Sequence, residues 1–79
     1  MRLDKYLKVS RIIKRRTIAN EACDSGRVKI NDKVAKASQD VKIGDIIEIA
    51  FGNNTLKVKV TAISEVVKKE NARDMYENI

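Results

Sequence analysis

Arg11, Lys14, Arg15 and Arg16 place four cations within six residues, and Arg2, Lys5 and Lys8 lead up to them at three-residue spacing. A guanidinium is planar and permanently charged, and its fork holds a phosphate through two parallel bonds where an ammonium offers a point charge. Five of the six arginines precede residue 28, so this chemistry is concentrated at one end of the chain. The pattern suits recognition of a polyanion. Asp4 and Glu21, set among these bases, fit a local ion pair or cap better than a carboxylate pair for acid–base work.

Little else in the sequence can do chemistry. His is absent, so an acid, base or nucleophile would have to come from Asp, Glu, Lys, Tyr or Cys23, and these form no catalytic constellation. Cys23 has no second Cys to pair with, and the soft ligands of a zinc site are missing. Gly26, Gly44 and Gly52 lie too far apart for a phosphate-cradling loop. The expectation is a protein that is not an enzyme, with no catalytic residue, no metal and no cofactor.

The elements that position the cations can be read from periodicity. Leu3, Tyr6 and Leu7 share one side of a helix while Arg2, Lys5 and Lys8 share another. Ser10 to Arg16 then forms a basic connector, with Ile12 and Ile13 turned inward. Ile18, Ala19, Ala22 and Cys23 repeat at helical spacing ahead of Gly26, which predicts a second helix over about residues 15 to 25 and buries Cys23 as a small hydrophobe. The start of that helix adds its free amides and dipole to the arginines beside it.

After Gly26 the period becomes two. Val28 and Ile30 alternate with Arg27 and Lys29, and Asn31-Asp32 follows as a turn. Ile46 to Phe51 and Leu56 to Ala62, separated by Gly52-Asn53-Asn54, give the clearest hairpin in the chain. Ala72, Met75, Tyr76 and Ile79 return to helical spacing and predict a short C-terminal helix. The fold class is therefore α+β: two N-terminal helices, an antiparallel sheet, then a short helix.

Charge is segregated along this order. Residues 1 to 36 hold eleven bases against four acids, a net +7, whereas the remainder totals −1 of the overall +6. Helix two carries Asn20, Glu21 and Asp24 outward, a poor complement to the phosphate-lined groove of DNA. With only Tyr6, Phe51 and Tyr76 as aromatics, stacking of single strands is also poorly served. Shape and backbone recognition of folded RNA fits better. Seventy-nine residues suit a single domain, the first five lack the apolar core of a signal peptide, and no apolar run approaches a membrane span. A cytoplasmic setting is expected. The first helix is too short to anchor the chain on a bilayer surface.

The series Arg2-Leu3-Asp4-Lys5-Tyr6-Leu7, Ser10-Arg11, Arg16, Gly26-Arg27-Val28-Lys29-Ile30-Asn31, Ala35-Lys36-Ala37-Ser38 and Val41-Lys42-Ile43-Gly44-Asp45 resembles the S4-type RNA-binding domain over residues 1 to about 51, leaving 52 to 79 for a C-terminal hairpin and helix. The resemblance implies two packed helices joined by a basic loop on a small, bent antiparallel sheet. It implies that RNA is bound by Arg2, Lys5, Arg11, Lys14, Arg15 and Arg16, with Arg27, Lys29 and Lys36 at the margin, and that Asp4 orients neighbouring arginines. The length, the Lys14 to Thr17 segment and the Met75-Tyr76 ending resemble a short free-standing branch of the family. That branch implies rRNA of the large ribosomal subunit, peptidyl-tRNA and an RqcH-type tailing factor as partners in ribosome-associated quality control, with no membrane and a monomeric chain. A general rRNA- or tRNA-binding assembly accessory, or a basic protein-interaction adaptor, are the alternatives. Asn31-Asp32 stands where the family has Asn-Gly, which leaves the turn type open, and the long basic C-terminal extension of the family's heat-shock-induced member is absent.

Overall fold

A computed structural model describes residues 1–63 and 74–79. Helix α1 spans Leu3–Val9 and helix α2 spans Arg16–Asp24. Strands β1 (Val28–Ile30), β2 (Lys33–Val34), β3 (Ile46–Phe51), β4 (Asn54–Val60) and β5 (Tyr76–Asn78) form an antiparallel sheet in the order β2-β1-β3-β4-β5. The two helices, the basic connector between them and the antiparallel sheet follow the expected α+β order.

Alternation decides which side of the sheet is buried. Val28, Ile30, Ile47, Ile49, Val58 and Val60 point to one face and join Leu3, Tyr6, Leu7, Ala19, Ala22 and Cys23 in a single cluster. The other face carries Lys29, Glu48 and Lys57 side by side in register, with Lys59 opposite Glu77. Small residues line α2 where it meets the core, and the strip of Ala19, Ala22 and Cys23 is narrow. Ile18 lies at its margin and stays 49% exposed, so the expected four-residue stripe loses its first member.

The predicted C-terminal helix is not the structure of its final residues. Tyr76–Asn78 pairs with β4 through Val60↔Tyr76 and Val58↔Asn78, while Ala72 lies outside the described residues. The physical reason is tertiary: β4 would otherwise present an open row of backbone donors and acceptors, and a strand satisfies them. Tyr6 fixes this arrangement from α1, its hydroxyl donating to the Met75 carbonyl at 2.6 Å while Met75 is buried. Helical spacing in so short a stretch carried less energy than that edge.

Asn31 and Asp32 both take positive φ, 51° and 69°, the signature of a type I′ hairpin turn. The Asn31 side chain holds the turn against the start of β3, accepting from the Ile46 amide at 3.0 Å and donating to Asp45 at 3.1 Å. The segment after β2 then returns to the N-terminus. The Leu3 amide donates to the Gln39 carbonyl at 2.8 Å and the Asp4 amide to the Ala37 carbonyl at 3.2 Å, which fixes where α1 begins.

Candidate nucleic-acid interface

Asp4 sits in the first turn of α1 and is only 2% exposed. A carboxylate this buried needs partners to remain charged. Its Oδ1 accepts from the Lys5 amide at 2.8 Å and from Arg2 Nε at 3.2 Å; its Oδ2 accepts from Arg16 Nε at 3.3 Å, from an Arg2 terminal nitrogen at 3.4 Å and from Asn20 Nδ2 at 3.4 Å. Burial pushes its pKa up, but the bonds from Asn20, the Lys5 amide and Arg16, together with the Arg16 charge, outweigh burial and hold the carboxyl below its ordinary value.

The geometry leaves donors to spare. Arg16 spends its Nε on Asp4, so its two terminal nitrogens face no protein acceptor among the described residues, and its side chain is 47% exposed. Arg2 is 53% exposed and keeps one terminal nitrogen in the same condition. One buried carboxylate therefore ties together the guanidinium of the α1 cap residue and that of the first residue of α2.

The connector continues this surface. Ile13 turns into the core and Ile12 is half-buried, while Arg11, Lys14 and Arg15 are exposed and their side chains have no partner among the described residues. Arg15 is the cap residue of α2, and no side chain caps that helix, so its first amides are open to solvent or to an anion. Ser10, at the start of the connector, is buried and donates its hydroxyl to the Leu7 carbonyl.

The nine expected binding residues do not all converge. Arg2 and Arg16 meet on Asp4, Lys5 follows Asp4 on α1 and is half-buried, and Arg11, Lys14 and Arg15 occupy the connector between the helices. Lys36 is exposed between buried Ala35 and Ala37 on the segment that returns to the start of α1. Arg27 and Lys29 lie apart. Arg27 follows the far end of α2, a helix about 13 Å long, and donates from Nε to Ser25 at 2.8 Å. Lys29 belongs to the outward face of the sheet, opposite the helices. The sequence reading missed Asn20, taken there as an outward polar residue; its spacing of four from Arg16 was the signal that both share one side of α2.

These observations define a small α+β module with a basic, guanidinium-rich face built by its two helices and their connector. The S4 domain family model matches residues 1–47, and the chain belongs to the S4 domain family. It is an RNA-binding protein and not an enzyme. Within the family it is 60% identical to the RQC P-site tRNA stabilizing factor of Streptococcus pneumoniae over 79 residues, covering all of this chain and 90% of that one. It is 54% identical to the protein of the same name from Bacillus subtilis over 76 residues, covering 96% of this chain and 88% of that one. The trimeric structure of Vibrio cholerae heat shock protein 15 superposes with a TM-score of 0.92 at 30% identity, covering all of this chain and 81% of that one. Among the described residues no helix is long and apolar enough to cross a membrane.

Proposed function

We propose that this protein binds rRNA of the large ribosomal subunit together with the tRNA of a stalled peptidyl-tRNA, acting in cytoplasmic ribosome-associated quality control and supporting C-terminal tailing by an RqcH-type factor. Arg2, Lys5, Arg11, Lys14, Arg15 and Arg16 make the principal phosphate contacts, with Lys36 beside them and Arg27 and Lys29 as outlying ones. The protein acts as a monomer. The observation that carries this reading is the pairing of Arg2 and Arg16 on buried Asp4, next to the unengaged Arg11, Lys14 and Arg15 and the uncapped start of α2. The tRNA and the quality-control setting are supported by similarity over 96–100% of this chain to relatives named for stabilizing P-site tRNA.

Sedimentation of cell lysates tests it. The protein should travel with free large subunits that carry peptidyl-tRNA. Association only with precursors of the large subunit would instead identify an assembly accessory, and crosslinking to a protein without RNA would identify an adaptor.

A further inference from the structure

Strand β2 stands at the end of the sheet, so on one side it has no neighbouring strand among the described residues. The register decides which groups face that side. The Ala35 amide donates to the Val28 carbonyl at 3.0 Å, which makes Val28 and Ala35 a hydrogen-bonded pair and leaves Lys29 and Val34 as the non-bonded pair beside it. The Val34 N–H and C=O therefore turn outward, a donor and an acceptor side by side on an open edge.

A groove of about 490 Å³ lies against this edge, between the β1–β2 hairpin and residues 39–45. Ile30 and Val34 give it an apolar floor, and Val34 is 62% exposed. Lys33 of the hairpin and Lys42 of the facing segment supply its cations, and neither ammonium donates to a protein oxygen among the described residues. Its two carboxylates are already engaged. Asp45 accepts from the Asn31 side chain at 3.1 Å and from the Lys42 amide at 2.9 Å, and Asp40 accepts from the Met1 amine at 2.8 Å. None of the groove's residues is among the proposed RNA contacts.

We infer that this edge and groove receive an extended acidic segment of a protein partner, which adds to the sheet beside β2, bonds its main chain to Val34 and sets alternate acidic side chains against Lys33 and Lys42. RNA fits less well. A phosphate accepts from the Val34 amide but cannot donate to its carbonyl, it gains nothing from an apolar floor, and the groove holds no arginine fork. A second copy of the chain also fits less well, because its own open edge, β5, carries one acid, Glu77, and that residue stands opposite Lys59. Lysine on an edge discourages uncharged strands from pairing there, which leaves an acidic one favoured. The surface is separate from the RNA-binding face and does not depend on it.

A short peptide of alternating glutamate and valine, added to the full protein and followed by backbone amide NMR shifts and hydrogen exchange, tests the inference. It should shift the Val34, Gln39 and Lys42 amides and slow exchange at Val34, and a peptide of alternating lysine and valine should do neither. Lys33→Glu combined with Lys42→Glu should weaken binding of the glutamate peptide about tenfold. Val34→Pro removes the outward amide at an edge position, where proline is tolerated. It should abolish peptide binding while keeping the affinity of the unaltered protein for large ribosomal subunits. No response to the glutamate peptide, an equal response to the lysine peptide, or unchanged peptide binding in either variant overturns the inference. A short RNA duplex that shifts the same amides more strongly would overturn it in favour of RNA, and protection of Val34 that grows with protein concentration alone would overturn it in favour of a second copy.

Discussion

Asp4 is a carboxylate 2% exposed and touched by two guanidinium groups, and in the proposed reading it positions Arg2 and Arg16. Because its pKa is lowered on folding, its contribution to stability is complete above the unfolded value near 3.8 and is lost as pH falls from there through the folded value. Denaturant unfolding at pH 6 and at pH 3 should therefore show a smaller acid-induced loss in Asp4→Asn than in the unaltered protein; equal losses would mean that the carboxylate gains nothing from its partners. The consequence for binding falls on Arg16. Arg16→Ala should lose about 1–3 kcal/mol of RNA affinity, and Arg16→Lys should also be impaired because a point charge cannot reproduce a two-bond contact. Lys59→Ala removes the same formal charge from the outward face of β4 and should change little. Equal, small losses for Arg16→Ala and Lys59→Ala in folded proteins would mean that net charge alone governs binding. Cys23 belongs to the core: it is 2% exposed, and burial, followed by the charges of Asp4 and Asp24, pushes its thiol up to about 11. Native protein should resist thiol reagents at pH 8, and Cys23→Ser should lower stability without lowering affinity in the folded fraction. Rapid native labelling would show that the thiol is exposed. The cations themselves were legible from sequence because charge, once exposed, is expressed directly. The hub that joins them was only half legible, since Asn20 lies sixteen residues from Asp4, the residue to which it donates.

At the scale of elements, α2 and β3 fall within about a residue of their expected limits because each has a full period of buried side chains, while β4 begins and ends two residues earlier than expected. The failures share one cause. Ile18 and the last residues each offered a local pattern that tertiary contacts overrode: a strip of small residues too narrow to cover Ile18, and an open β4 edge that drew Tyr76–Asn78 into the sheet. The β1–β2 turn was undecided for a different reason, since Asn-Asp tolerates several turn types and only the positive φ of both residues selects type I′. Asp32 is then a non-glycine residue where glycine is favoured. Asp32→Gly should stabilise the protein by about 1 kcal/mol in chemical unfolding, with RNA affinity unchanged. A loss of stability would show that the Asp32 side chain supports the turn in a way its backbone does not.

For the molecule as a whole, the two helices and their connector concentrate arginine on one side, while the open face of the sheet alternates Lys29, Glu48 and Lys57 and sets Lys59 against Glu77. The proposed binding of RNA rests on phosphate neutralisation at this one face, and each phosphate neutralised releases condensed counterions. The most direct measurement is the affinity of the unaltered protein for large ribosomal subunits across a salt series. With six or more phosphate contacts, affinity should fall on the order of a thousandfold or more between about 50 and 200 mM salt. A fall of less than about tenfold over that range would contradict a binding face made of Arg2, Lys5, Arg11, Lys14, Arg15 and Arg16.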